Sequence, residues 1–328
     1  MCKKAVYTVF FNFTVTYNSD AYFGNTRPKN TMMLTTYINF DDATECQRLF
    51  HGRGHAYPEL SHVNVDWFAP VILITLYQEV SAHWLSMQAK ALMELITECR
   101  SVQVQFRSRQ FAPTEVLIGE EIDHTIVQEM GLSYNINFGK AQNCGLFLDM
   151  KNGRKWVMEH ANNKNILNLF AYTCPFSLAA IAGNAQQVVN IDISKASLTK
   201  GRENHRLNHH DMGKVKFEGV DIFKSNSRIK KHGLYDLIIC DPPTMQFGSV
   251  DIERDYKKIV RKIPQWLKAG GQVMLCLNSP DLSEDFLMEL ISQHCPDCYF
   301  KEAIRPPEVF KEAFQGKGLK VLVFSYQP

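Results

Sequence analysis

Ile166-Leu-Asn-Leu-Phe170, Val188-Val-Asn-Ile-Asp192, Val215-Lys-Phe-Glu218, Tyr235-Asp-Leu-Ile-Ile-Cys240 and Gln272-Val-Met-Leu-Cys-Leu277 are short, mostly apolar runs. Such runs read as strands. The segments between most of them have helical spacing: Phe176–Ala182, Lys195–Leu207 and Arg254–Leu267, with Glu284–His294 after the fifth run. Strand alternating with helix predicts a parallel sheet covered on both faces. Tyr299–Ile304 and Lys320–Tyr326 bring the strand count to seven. Their connection, Arg305 to Gly318, carries two prolines and two glycines and no clear crossover helix. The last strand can therefore return antiparallel.

Working outward, Asp149 to Asn163 is a polar stretch and a natural boundary. Before it, Val71–Leu76 reads as a buried strand and Val80–Glu98 as a helix. Leu85, Ala89, Leu92 and Ile96 share one face of that helix. Val102–Phe106 and Leu132–Phe138 alternate as strands do. The expected fold is Rossmann-like α/β over residues 151–328, with a smaller α+β substrate-recognition domain over 33–150. Residues 1–32 are expected to be a flexible extension.

The chain has 328 residues, 45% hydrophobic and 21% charged, with a formal net charge of +2. That is the composition of an ordinary globular protein and too mild to announce a nucleic-acid binder. No apolar run reaches the roughly 18 residues of a membrane span, and no signal-peptide cleavage pattern follows Val6–Phe13. A cytoplasmic location is expected. Among nine cysteines only Cys295 and Cys298 form a C-x-x-C pair, and no second pair completes a zinc site. No metal is expected.

Candidate chemistry gathers at the strand ends. Asn168-Leu-Phe-Ala-Tyr-Thr-Cys-Pro-Phe176 leaves the first strand for a helix, where doubly wound folds bind ligands and helix amides favour an anion. Asp192 ends the second strand about 20 residues on, placed to accept from ribose hydroxyls. Asp221 and Ile222 follow the third strand and could meet an adenine ring, as could Ile193; a helix cap is the alternative for Asp221. Asp241-Pro-Pro-Thr244 ends the fourth strand. Its prolines fix the turn and leave carbonyls to accept from a substrate base, with Phe247 available for stacking. Asn278 ends the fifth strand, two residues beyond Cys276, which reads as core.

These residues resemble the class I S-adenosylmethionine (SAM) dependent methyltransferases. They are similar in particular to the bacterial large-subunit (23S) rRNA enzymes that make 5-methylcytosine or N7-methylguanine. Leu167-Asn-Leu-Phe-Ala-Tyr-Thr173, Glu203-Asn-His-Arg-Leu-Asn208 and Gly145-Leu-Phe-Leu-Asp149 with Arg154 carry the narrower match. The resemblance implies SAM as cofactor, held by Phe147, Asp149, Arg154, Asn168, Phe170, Tyr172, Thr173, Asp192, Ile193, Asp221, Ile222 and Asp241. It implies RNA as partner, with Asp241, Pro242, Pro243, Thr244 and Asn278 at the reaction. Cys174-Pro175 stands where that family has a glycine pair, and Asn278 where its cytosine enzymes have the attacking cysteine. The implied reaction is methylation of an rRNA base, a nitrogen such as guanine N7 before cytosine C5. A methyltransferase of protein or small molecules, and a non-catalytic RNA-binding module, are the alternatives. The oligomeric state stays open.

Overall fold

The computed structural model describes residues 32–139, 142–243, 245–246 and 250–328. Expectations for the first 31 residues, for Thr244 and for Phe247 lie outside them. Met33–Pro328 is one compact unit.

Its first sheet contains β1 (Gln47–His51), β2 (Val63–Phe68), β3 (Val71–Leu76), β4 (Ser101–Phe106) and β5 (Thr114–Gly119), in that spatial order. Helix α1 (Ala82–Leu95) joins β3 to β4, which pair in parallel; the other pairs are antiparallel. The helix is shorter than its apolar pattern because Ser81 caps it, accepting from Trp84 N at 3.1 Å. A hairpin follows, β6 (His124–Glu129) and β7 (Leu132–Asn137), turning through Met130 and Gly131, both at positive φ.

The polar stretch Asp149–Asn163 is not a linker. It holds helix α2 (Lys151–His160), which buries Gly153, Arg154, Trp156 and Val157. A buried arginine on the inner face disguises the helix, because a polar side chain stands where the pattern needs an apolar one.

The second sheet follows the expected alternation. Its elements are β8 (Asn165–Leu169), α3 (Pro175–Ala182), β9 (Gln187–Asp192), α4 (Lys195–Leu207), β10 (Val215–Gly219), α5 (Asn226–Lys231) and β11 (Tyr235–Cys240). The short β12 (Met245–Gln246) and β13 (Val250–Asp251) come next, then α6 (Ile252–Val260), α7 (Ile263–Trp266), β14 (Leu267–Leu277), α8 (Glu284–His294), β15 (Cys298–Ala303) and β16 (Lys320–Tyr326). The order is β10-β9-β8-β11-β14-β16-β15. The first five are parallel neighbours, and β16 runs antiparallel to both β14 and β15. The order reverses between β8 and β11, which opens a crevice at their carboxyl ends.

One predicted helix is two. Arg254–Leu267 breaks after Val260 because Pro264 lacks an N–H and its ring would meet the carbonyl four residues back, that of Val260. Leu267 begins a strand instead. Helix α5, too short for a periodic signal, adds a turn before β11.

Two contacts join the hairpin to the second sheet. Asn204 and Asn208, one turn apart on α4, satisfy the edge of β7: Asn204 Oδ1 accepts from Asn135 N at 3.0 Å, and Asn208 Oδ1 from Ser133 N at 2.8 Å. Deeper in, Arg154 Nε and Nη2 donate to the two carboxylate oxygens of Glu129, each at 2.6 Å. Both side chains are closed to solvent, at 1% and 0% exposure. Removing one partner strands the other charge, so Glu129→Ala should cost about 3–5 kcal/mol of stability. Urea unfolding followed by tryptophan fluorescence would read this; a midpoint equal to that of the parent chain would show the pair to be dispensable.

Candidate functional site

The crevice at the switch between β8 and β11 is a cavity of about 370 Å³. Loops after four strands build it: Phe170–Tyr172 after β8, Asp192–Ser194 after β9, Val220–Phe223 after β10 and Asp241–Pro243 after β11. Phe147, Asp149 and Arg154 close it from the start of α2, and Asn278 from the end of β14.

The loop after β8 lacks glycine but keeps glycine-like geometry. Phe170, Tyr172 and Cys174 sit at φ +57°, +50° and +64°. Each such residue costs of order 1–3 kcal/mol and persists only where surroundings over-determine it. Here the holding bonds are visible. Tyr172 N donates to Asp192 Oδ2 at 2.8 Å, Thr173 Oγ1 to the Gly145 carbonyl at 2.6 Å, and Cys174 N to the Ala171 carbonyl at 2.8 Å. Cys174 thus takes the left-handed turn that a glycine would take more cheaply. Gly201 on α4 makes room for it, since a Cβ there would stand 2.5 Å from Cys174 Sγ.

Asp192 receives one backbone N–H on each oxygen, from Tyr172 and from Ser194 at 2.7 Å. It does not cap α4; Ser194 does, accepting from Ser197 N. Burial raises the Asp192 carboxyl above its usual range, and the two backbone donors oppose that. A fixed carboxylate with remaining lone pairs beside exposed Ile193 and buried Ile222 suits a ribose with an adenine next to it. Asp221 faces the same cavity, its Oδ1 accepting from Phe223 N at 2.9 Å, and it caps no helix.

Two sequence-predicted residues lie outside the cavity. Asn168 points into the sheet, where its Nδ2 donates to Asn190 Oδ1 at 2.9 Å; Asn190 in turn donates to Ser177 Oγ. That buried polar chain supports α3 and touches no ligand space. Thr173 is buried on the Gly145 carbonyl and acts through the loop. Arg154 lines the cavity, but its guanidinium is committed to Glu129 and, through Nη1, to the Phe147 carbonyl at 2.9 Å. It positions Phe147 and Asp149.

Two carboxylates share the inner wall. Asp241 is pushed up to about 7 by burial first and by the charge of Asp149 second, with Arg154 opposing. Burial also raises Asp149, against Arg48 and Arg154. Beneath them, Tyr256 Oη donates towards the carbonyls of Cys276 (2.9 Å) and Cys240 (3.3 Å), tying the ends of β14 and β11. Lys320 Nζ, buried, holds the Ser279 carbonyl and so the turn that carries Asn278. Sequence reading missed both supports, which look like ordinary core and surface residues until the strand ends are aligned.

A second cavity, about 380 Å³, adjoins the first; Asn143, Phe147, Asp149 and Asn278 line both. The face of β1–β4 forms its far wall, with Arg48, Asp66, Gln105 and Arg107. Arg53 lines it, as does His51, the last residue of β1. The basic residues of α5 and α6 lie elsewhere, and Arg228 and Lys258 are paired with Glu218 and Asp255. Among the described residues no group of His, Cys, Asp or Glu could hold a metal ion, and no helix is long and apolar enough to cross a membrane.

The Asp241 geometry sets a pH signature. Between the ordinary value of 3.8 and about 7, the folded chain keeps a proton that the unfolded chain has released. The unfolded state then binds fewer protons, so stability falls as pH rises through that window. Asp241→Asn removes the slope. Its stability relative to the parent chain should rise between about pH 4 and pH 8; thermal melts showing a constant difference would place the proton elsewhere.

Ribosomal RNA large subunit methyltransferase I of Aliivibrio fischeri (strain ATCC 700601 / ES114) is 27% identical over 249 residues, covering 70% of this chain and 63% of that protein. Its counterpart in Erwinia tasmaniensis is 24% identical over 290 residues, covering 85% and 72%. The chain therefore spans less than two thirds of the first relative's length. The crystal structure of SMU.776 complexed with SAH superposes with a TM-score of 0.78 at 24% identity, covering 87% of this chain and 76% of that one, which establishes the fold. Residues 47–325 match the S-adenosylmethionine-dependent methyltransferase family, and the chain belongs to it.

Proposed function

We propose that this chain transfers a methyl group from SAM to a base of large-subunit rRNA, with residues 33–150 as the substrate-recognition part and a ring nitrogen as acceptor. The observation that carries the reading is the pair of adjoining cavities, one built around Asp192 and the other lined by arginines, meeting at Asp149 and Asn278. The first suits SAM. Asp192 would hold the ribose, Ile193 and Ile222 the adenine, and the loop at the start of α3 the methionine end. When bound, SAM supplies an electrophilic sulfonium methyl.

The protein's own work is alignment. Asp241 and Pro242 line the first cavity and Asn278 both, and they would position the base, while Phe147 and Tyr172, with ring centroids 5.5 Å apart, form an aromatic wall beside it. A nitrogen acceptor is supported by the thiols. Attack on cytosine C5 needs a thiolate. Cys276 is buried with its thiol pushed well above 9, and Cys144, in the second cavity, is pushed up to about 11. A lone pair on guanine N7 needs no such partner. The rRNA relatives support RNA as substrate, and so does the charge of the second cavity.

Asp192→Ala should weaken SAM binding at least tenfold, about 1.4 kcal/mol, by titration calorimetry; unchanged affinity would move the ribose site. Asp241→Ala should lower turnover more than SAM affinity. Incubation with SAM and 5-fluorocytosine-substituted rRNA should leave no denaturation-resistant protein–RNA adduct. An adduct lost in Cys276→Ser or Cys144→Ser would establish thiol catalysis and remove the nitrogen assignment.

A further inference from the structure

We infer that the second cavity is the subsite for the RNA nucleotide that receives the methyl group, and that Arg53 and Arg107 contact its phosphates. The inference rests on the function proposed above and adds residues that the family match does not assign.

Size and connection come first. At about 380 Å³ the cavity lies within the range of ligand sites, and it adjoins the first across the residues that line both. A base seated there faces the donor across Asp149 and Asn278.

Charge comes second. Three arginines line the cavity, and they are not equivalent. Arg48 is structural: its guanidinium pairs with the Asp66 carboxylate, and its Nη1 donates to His51 Nδ1 at 2.7 Å. An arginine can only donate, so His51 accepts on Nδ1 and carries its proton on Nε2. His51 adds no charge to the site, since burial and the cations around it hold it down at about 3. Arg53 and Arg107 differ. Arg53 lies over the Tyr77 ring, 4.4 Å from its centre, and Arg107 donates only to neutral amide oxygens, Gln105 Oε1 at 2.9 Å and Asn143 Oδ1 at 3.1 Å. Neither has a carboxylate within ion-pair distance among the described residues, and Glu312 acts on Arg53 only from farther off. Cations held in a cleft by an aromatic face and neutral amides suit an incoming phosphate.

The test uses the full chain and an in vitro transcript of a bacterial large-subunit rRNA. Arg53→Gln/Arg107→Gln should weaken transcript binding at least tenfold by filter binding. It should also flatten the slope of log K against log salt by roughly 0.7 to 0.9 per arginine. SAM affinity by calorimetry should not change. Arg53→Lys/Arg107→Lys should restore most of the salt slope, which a merely structural role would not do. A parent chain that methylates the transcript while the glutamine variant keeps its affinity and slope would overturn this subsite alone. A parent chain that neither binds nor methylates the transcript would overturn the function on which it rests.

Discussion

The buried pair of Arg154 with Glu129 is the contact on which the site's geometry depends. It joins the β6–β7 hairpin to the helix in front of the large sheet, and through the Phe147 carbonyl it fixes the segment shared by both cavities. Such a pair adds little net stability, because desolvating both charges offsets their attraction. Its effect is geometric. Two fixed parallel hydrogen bonds define where α2 stands against the hairpin, and a packed apolar contact would define that less sharply. The asparagines of α4 do the same work on β7 with neutral groups, so the hairpin is held at two points rather than by area alone.

The large sheet was legible because its inner strands β8, β11, β14 and β16 are largely buried on both faces and read as mostly apolar runs. Lys195–Leu207, Tyr235–Cys240, Glu284–His294 and Lys320–Tyr326 coincide with their elements to the residue. Two elements were missed because a polar residue was doing an apolar residue's job. Arg154 hid α2, and Asn64 and Asp66, buried in β2, hid a strand that is buried throughout. The site divides in the same way. Asp192, Asp221 and Asp241 announced themselves because a carboxylate at a strand end has few other uses. Asn168 belonged to the same stretch of chain, but strand alternation turns it the other way, onto Asn190. Arg48, Arg107 and Tyr256 carried no local signal. Their neighbours lie far off in sequence, and only the pairing of strands brings them to the site.

The loop after β8 shows what a missing glycine means. Absence of the family's glycine pair suggests lost cofactor space, yet the backbone still turns left-handed at Phe170, Tyr172 and Cys174. Strain refused by one residue type has been accepted by another, and the bonds to Asp192, Gly145 and Ala171 hold it. Asp192 therefore has two functions in one carboxylate. It fixes the loop through the Tyr172 N–H, and it presents its remaining lone pairs to the cavity. Loss of its charge would loosen the loop.

Where the two cavities meet, electrostatics and alignment converge. The charge of Asp149 makes Asp241 harder to ionise, and Arg154, which opposes it, is already bound to Glu129. Where Asp241 keeps its proton, that carboxyl can donate a hydrogen bond. Arginines line the second cavity and the fixed carboxylate of Asp192 the first. On the function proposed above, that polarity would orient an anionic strand with its base towards the cavity built around Asp192.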